Sequence, residues 1–307
     1  MNYIGFDTSN YTTSVAYFDG QSGINCSKLL PVKQGELGLR QSDAVFAHIK
    51  GLPELSGRLF SHISADSIAA IGVSTRPRAV DGSYMPCFMV GYTHAKLLSD
   101  TLHVPLFEFS HQQGHVAASL WSAGHLELMD EPHLAWHLSG GTTELLLVEP
   151  EGKNVRCTRI GGTSDISAGQ LIDRTGKLLE LPFPSGKHID ALSQQAQGRE
   201  VFKVKCPEME FSLSGVQNKV EAFHRAGNDP AETAAYALRC VCAAVMLATK
   251  NALKAYPGLR VVFSGGVASN SMLRRELAPL HPIFSEPQYS TDNAMGVAVL
   301  TSRAMEG

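Results

Sequence analysis

The stretch FSHQQGHVAAS, residues 109–119, sets two histidines four apart behind a serine. If Ser110 caps a helix, His111 and His115 leave one face a single turn apart, near enough for two imidazole nitrogens to share one metal ion. The chain holds twelve histidines. A second four-spaced pair, His133 and His137, falls in HLAWHL, which reads as a strand, where four residues span about 13 Å, too far for one ion. Spacing alone therefore leaves His111 and His115 open between metal ligands and ordinary surface or core residues. Two histidines also make an incomplete site, and YSTDNAMG offers the carboxylate of Asp292 in a loop ahead of an Ala/Val-rich helix.

Three loops combine small hydroxyl residues, two of them with glycine, at strand ends: DTSNYTT (7–13), LSGGTTE (138–144) and FSGGVASN (263–270). Glycine lets backbone N–H groups approach an anion and hydroxyls add donors, so several such loops together suit a nucleotide phosphate. Any one of them alone reads equally well as a tight turn.

The elements that must position these groups follow from the hydrophobic pattern. YIGFD and TTSVAYFDG read as a hairpin around the polar turn TSNY, and HLAWHL, SGGT, TELLLVEPEG repeats that plan, giving similar units that start near residues 2 and 133. SIAAIGVSTRP and VPLFEF read as strands and MVGYTHAKLLSDTL as a helix, an alternation that argues for α/β layers. The run from Asp229 has an N-cap, Pro230 at the first helical position and Glu232 three after the cap, and ends at Pro257-Gly258, so it predicts a long helix. LRVVFSGGVASNSMLRREL reads as strand, Gly-Gly turn and helix. Hairpin loops in equivalent positions of a repeated α/β unit match the actin, hexokinase and Hsp70 (ASKHA) plan, two related RNase H-like lobes with a nucleotide cleft between them, divided here at 1–128 and 129–307.

With 26 basic against 29 acidic side chains over 307 residues, the net charge of -3 supplies no global field for nucleic acid. An RNA partner needs a local patch, for which Arg76 and Arg78 of STRPRAV and Arg274 and Arg275 of MLRREL are the candidates. The six cysteines form no CxxC and the start MNYIGFDTSN lacks the features of a secretory signal, so reduced thiols and a cytoplasmic location are expected. No membrane segment is expected, because the apolar run after Ala231 is broken by Arg239 and Lys250.

HQQGH, SGGTTELLLV, GGTSDISAGQLIDRTGKLLELPFPSG, FSLSG, SGGVASNSMLRREL and STDNAMG, in this order, resemble the TsaD/Gcp family of tRNA threonylcarbamoyladenosine synthases, formerly called O-sialoglycoprotein endopeptidases. The resemblance runs from GFDTS to the last helix. It implies a divalent metal, iron or zinc, held by His111, His115 and Asp292. It also implies phosphate contacts from Ser139, Gly140 and Gly141, ribose contacts from Asp173 and Gly186, and Asn270 against the adenosine. The bound nucleotide would be threonylcarbamoyl-AMP, or ATP or AMP. Without the resemblance, Asp173 reads as a solvated helix position and Asn270 as a helix cap. FSLSG, 211–215, is implied to face the cleft, with no chemical step assigned to it.

Departures from the family pattern surround these positions. DTSNYTT stands for ETSCDET, with Asn10, Tyr11 and Thr12 at polar or acidic positions; Thr142 stands for a histidine; Gly162, Ile166 and Gln170 replace acidic groups. The early glycine- and Pro-Glu-rich stretch is represented only by GELGLRQSDAVFAHIKGLPEL. The expected activity is transfer of a threonylcarbamoyl group to the adenosine beside the anticodon of tRNA, aided by a related non-catalytic paralog and a small ATPase, with no side chain assigned as general base. A carbamoyltransferase acting on another acceptor and a non-catalytic nucleotide-binding scaffold are the alternatives. A metallopeptidase fits less well, because HQQGH lacks the glutamate of HExxH.

Overall fold

A computed structural model describes residues 1–9, 11–31 and 39–306; Asn10 and residues 35–38 of the GELG stretch lie outside them. β1 (Asn2–Asp7) and β2 (Thr12–Phe18), buried on both faces over most of their length, pair antiparallel with Tyr3 opposite Phe18 and Asp7 opposite Ser14. β3 (Gly23–Leu29) extends the sheet beyond β2. After α1 (Gln41–Phe60) the chain makes β4 (Ile68–Arg76), α2 (Phe88–Leu102), β5 (Leu106–Ser110) and α3 (His111–Ser122). The sheet order is β3-β2-β1-β4-β5, with β4 parallel to both neighbours.

The second sheet repeats the order: β6 (His133–Leu138), β7 (Thr143–Glu151) and β8 (Asn154–Thr163) correspond to β1, β2 and β3. Next come α4 (Ala168–Leu178), α5 (Gly186–Ser193), β9 (Glu210–Phe211), α6 (Ser214–Arg225) and α7 (Pro230–Ala255). β10 (Val261–Ser264), α8 (Ser271–Leu277) and β11 (Ile283–Phe284) complete the sheet in the order β11-β10-β6-β7-β8-β9, with β10 parallel to β6 and β11. The repeated hairpin expected near residues 2 and 133 is thus present, and each hairpin's first strand pairs parallel with a strand from later in the chain, β1 with β4 and β6 with β10.

The chain divides into two compact units that are not two successive stretches. Unit 1 comprises 1–131, 149–157 and 292–307; unit 2 comprises 132–148 and 158–291. The last helix, α9 (Met295–Met305), therefore belongs to unit 1. It lies on β1 because Gly5 leaves room: a Cβ there would stand 2.5 Å from the Ala294 carbonyl and 2.6 Å from the Ala298 nitrogen. Ile4, Phe6, Val15, Leu52, Leu55, Leu59, Ile71 and Val73 fill the unit 1 core.

In unit 2, α7 begins as its sequence predicts, with the Asp229 carboxylate accepting from Ala231 N–H at 2.7 Å and Pro230 opening the helix. Glu232 does not complete a capping box; it accepts from Gln197 and Gly198 N–H instead. By length and composition α7 does qualify as a candidate membrane span, contrary to the expectation from Arg239 and Lys250. Its most apolar window is 72% buried, which marks it as a core helix packed under the sheet.

Candidate active site

In unit 1 the ligand candidates are placed by helix ends. Ser110 caps α3 with a complete capping box: its hydroxyl accepts from Gln113 N–H at 3.3 Å and the Gln113 carboxamide oxygen accepts from Ser110 N–H at 2.9 Å. His111 is thereby the first helical residue and His115 follows one turn later. α9 lies against α3 at Gly296, where a Cβ would collide with the Gly114 carbonyl. Asp292, three residues ahead of α9, reaches the two histidines across that contact. The segment is pinned by Ala294 N–H to Asn25 Oδ1 at 3.0 Å and by Met295 N–H to Asn293 Oδ1 at 3.1 Å.

The result is a triad of one ligand atom each from His111, His115 and Asp292, all within 4.8 Å of one another. The two Nε2 atoms stand 2.9 Å apart, and Asp292 Oδ1 lies 3.2 Å from His115 Nε2 and 3.5 Å from His111 Nε2. Ligands at about 2.0–2.2 Å around a tetrahedral ion are spaced about 3.3 Å apart, and the three observed separations bracket that value. His111 Nδ1–H donates to Asp7 Oδ2 at 2.7 Å, which fixes the tautomer that presents Nε2 as a lone pair. Asp7 is held in turn by Ser74 Oγ–H at 2.9 Å and Ser9 N–H at 2.9 Å. The donor set, its spacing and this carboxylate behind His111 fit a divalent ion of the iron or zinc type.

The charges interlock. Burial works against ionising Asp292, yet the His111 and His115 rings hold its carboxyl well below the ordinary value. For Asp7, burial is likewise outweighed by His111, and the group stays ionised below its usual range. Burial disfavours a charged His111, but Asp7 and Asp292 beside it raise its pKa to about 10 in the metal-free chain. A cation is thus favoured at this point of the fold, whether supplied by a proton or by a metal.

The unit 2 candidates gather at the C-terminal ends of β6 and β10, whose register sets Ser264 beside His137. The 139–142 turn closes by Ser139 N–H to the Thr142 carbonyl at 2.8 Å and Thr142 N–H to Ser139 Oγ at 3.0 Å. Ser167 caps α4 and donates to the Gly140 carbonyl at 2.6 Å. Gly169 lets the helix end rest on the turn, since a Cβ there would stand 2.5 Å from Gly140 Cα. Gly140 and Gly141 have open space around them. Gly265, at φ +88°, turns the chain against Leu138. Asn270 caps α8, its Oδ1 accepting from Leu273 N–H at 3.0 Å. Asp173 on α4 accepts from Ser185 N–H at 2.8 Å, which brings it to Gly186 at the start of α5; burial raises its pKa and the Ser185 N–H offsets part of that. Asp190 of α5 ties the group to α8 through Ser271 N–H at 3.0 Å and Ser271 Oγ–H at 2.7 Å.

Residues 38–299 match the family described as TsaD: tRNA N6-adenosine threonylcarbamoyltransferase. The chain belongs to the TsaD family. A Lactococcus lactis subsp. cremoris (strain SK11) protein named tRNA N6-adenosine threonylcarbamoyltransferase is 31% identical over 296 residues, covering 90% of this chain and 83% of its own. The family is thus one of transferases. Among solved structures, full-length HypF in a phosphate- and nucleotide-bound form aligns with a TM-score of 0.64 at 14% identity, over 99% of this chain and 47% of HypF. The ROK hexokinase from Thermus thermophilus aligns at 0.53 and 14% over all of both chains. The fold is therefore the hexokinase-like α/β plan expected from the repeated hairpins.

Several departures from the TsaD pattern acquire physical reasons. Gly162 sits at φ +128°, and a Cβ there would strike the Thr143 carbonyl, so no glutamate side chain fits this backbone. Gln170 completes a capping box with Ser167 as a glutamate would. Of the basic candidates, Arg274 is committed to structure: it donates to the Ala268 carbonyl at 3.0 Å and the Ser285 carbonyl at 2.9 Å and stacks on Phe284. Arg275 stays exposed beside Glu276.

Sequence reading missed three carboxylates. Asp7 lay in DTSNYTT but was not linked to His111, 104 residues away; Asp190 carried no motif. Asp165 anchors FSLSG, accepting from the Ser212 and Ser214 hydroxyls at 2.5 Å each and from Leu213 N–H at 2.8 Å. Burial pushes its pKa up, but these donors bring it down to about 2. The serines alternating in FSLSG were the available signal, because hydroxyls at that spacing converge on one acceptor.

Proposed function

We propose that this protein transfers a threonylcarbamoyl group from threonylcarbamoyl-AMP to the exocyclic amine of the adenosine beside the anticodon in tRNA, with one divalent ion, iron or zinc, held by His111, His115 and Asp292. The observation that carries the reading is the convergence of these three side chains from segments 177 residues apart, with Asp7 orienting His111. When bound, the ion would supply a Lewis acid and a template for donor oxygens. The amine attacks the carbamoyl carbon, AMP leaves with the bonding pair, and the amine gives up a proton to solvent, no side chain being assigned as general base.

The remaining work falls to the chain. The open backbone of Gly140 and Gly141 at the capped start of α4 suits phosphate oxygens, with Ser139 shaping the turn. Asp173 would accept from ribose hydroxyls beside Gly186, and Asn270, which spends Oδ1 on its cap, would offer its Nδ2 protons to the adenosine. Holding donor and acceptor together supplies much of the rate. A cytoplasmic setting and assistance from a related non-catalytic paralog and a small ATPase belong to the same reading; the six unpaired cysteines accord with a reducing compartment.

The test is incubation of the purified protein with labelled threonylcarbamoyl-AMP and tRNA, with and without those partners. Label in tRNA that requires His115 and Asp292 is expected. Label appearing instead on a small hydroxyl or amine compound, with none on tRNA, overturns the acceptor, and no turnover of the donor under any condition overturns the transferase reading of this chain.

A further inference from the structure

The start of α9 is capped from outside the helix. The first backbone N–H groups of a helix have no partner within it, and a polar N-cap side chain usually accepts from one of them. The N-cap residue here is Ala294, which has no side-chain acceptor. Two asparagines take its place. Asn293 Oδ1 accepts from Met295 N–H at 3.1 Å, a local contact two residues away. Asn25 Oδ1 accepts from Ala294 N–H at 3.0 Å, across 269 positions of sequence.

Asn25 stands in the middle of β3, opposite Ala16 of β2, although strands disfavour asparagine. Alternation along the strand explains what it does there. Ile24 and Cys26 point into the unit 1 core with Leu52, Leu55 and Leu59 of α1, so Gly23 and Asn25 face the other side of the sheet. That side carries α9: a Cβ on Gly23 would stand 2.9 Å from Met295 Cε. β3 thus offers the helix start one position without a side chain, which leaves room for Met295, and one carboxamide, which meets the Ala294 N–H. Packing against Gly5 and Gly114 fixes the body of α9 from Ala294 onward. Asp292 precedes that packed stretch by two residues, and its Oδ1 must still come to 3.2 Å from His115 Nε2 and 3.5 Å from His111 Nε2.

We infer that Asn25 is a positioning residue for Asp292: by capping α9 from β3 it fixes the backbone turn that presents the carboxylate, and so sets how well Asp292 completes the set begun by His111 and His115. Its carboxamide oxygen meets the backbone and not the ligand atoms. The inference rests on the reading of His111, His115 and Asp292 as metal ligands, but the Asn25 contact is present in the metal-free chain, so the test has an arm without metal.

In the first arm, zinc alone is titrated into the full chain against a chromophoric chelator. Asn25→Ala is expected to weaken zinc binding about tenfold, the lower end of what losing an outer partner of a metal site costs. Asn25→Asp keeps an acceptor oxygen in place and should restore the affinity, whereas Asn25→Glu carries the same charge past the Ala294 N–H and should not. Asn25→Ser, too short to reach that N–H, stands in should Asn25→Ala fail to fold. Leu59→Ala, a truncation in the unit 1 core, is the control for stability: it should lower Tm at least as far as Asn25→Ala and leave zinc affinity unchanged. In the second arm, 15N-histidine NMR of the metal-free protein reads the His115 ring, which Asp292 meets directly. Its signals should move in Asn25→Ala and return in Asn25→Asp. Wild-type zinc affinity in Asn25→Ala, or equal restoration by Asp and Glu, overturns the inference. A wild type that takes up no zinc overturns the metal reading instead, and the second arm then decides alone: His115 signals unmoved by Asn25→Ala overturn the role of Asn25.

Discussion

The two candidate regions are built on opposite principles. In unit 1 the side chains that would meet a ligand are positioned by one another: Asp7 holds His111, and His111 and His115 hold Asp292. In unit 2 the named side chains are spent on local structure. Ser139 closes its turn, Asn270 caps α8 and Asp173 receives the start of α5, so each named side chain already commits one atom to holding its own segment. The difference matters for mutagenesis. A substitution in unit 1 should change ligand affinity and charge balance first, whereas one in unit 2 mixes ligand effects with the loss of a cap or a turn.

The strongest way to break that comparison is to remove a ligand candidate. His115→Ala or Asp292→Ala should bring metal content, measured by elemental analysis of protein purified without chelator, from about one equivalent to background. The loss should exceed the 10–100-fold fall in affinity typical of removing an outer partner, because a three-ligand site is reduced to two. Folding, followed by circular dichroism, should persist. Full occupancy in both variants would mean that the triad is only an ion-pair cluster.

How much of this was legible in the sequence differs between the regions for a physical reason. Ser110 before HQQGH and Asp229-Pro230 announce helix starts through local chemistry, so α3 and α7 follow from a few residues. The repeated hairpin was readable because both turns are short and flanked by apolar runs. The role of Asp7 was not, because it depends on β1 and α3 meeting through β4 and β5. α1 was hidden by Pro53 and by two glycines, which helix propensity disfavours and core packing tolerates. β8 carries mixed polar residues without alternation, so period two gave no signal there. Arg274 looked like a free cation because sequence shows its charge and not the two carbonyls that take it.

A gentler probe sharpens the contrast. Asp7→Asn keeps the size of the side chain but removes the charge that fixes the His111 tautomer. Metal affinity should drop about 10–100-fold, and titration with a metal-binding competitor would measure it. The site keeps its three direct ligands, so saturating metal should restore occupancy, unlike in Asp292→Ala. An affinity equal to that of the wild type would show that His111 is oriented by the helix alone.

The smallest expected effect lies in unit 2, at Asp165. Its carboxyl titrates near 2 in the folded protein against about 3.9 in an unfolded chain, because four donors from FSLSG favour the ionised form. A depressed folded value means that the ionised group contributes stability above pH ~4 and loses it as pH falls toward ~2. The side chain is largely exposed, so solvent screening keeps the contribution modest. Asp165→Asn retains one acceptor oxygen and cannot titrate. Urea unfolding of both proteins should therefore show a constant deficit for the variant from pH 7 down to about 5, which narrows between pH 4 and 2 as the wild type loses the advantage of its charge. Acid titration of the metal triad is common to both proteins and cancels in the difference. A deficit that stays constant to pH 2 would mean that Asp165 anchors FSLSG by shape alone, and that no carboxylate charge operates at this turn as it does in unit 1.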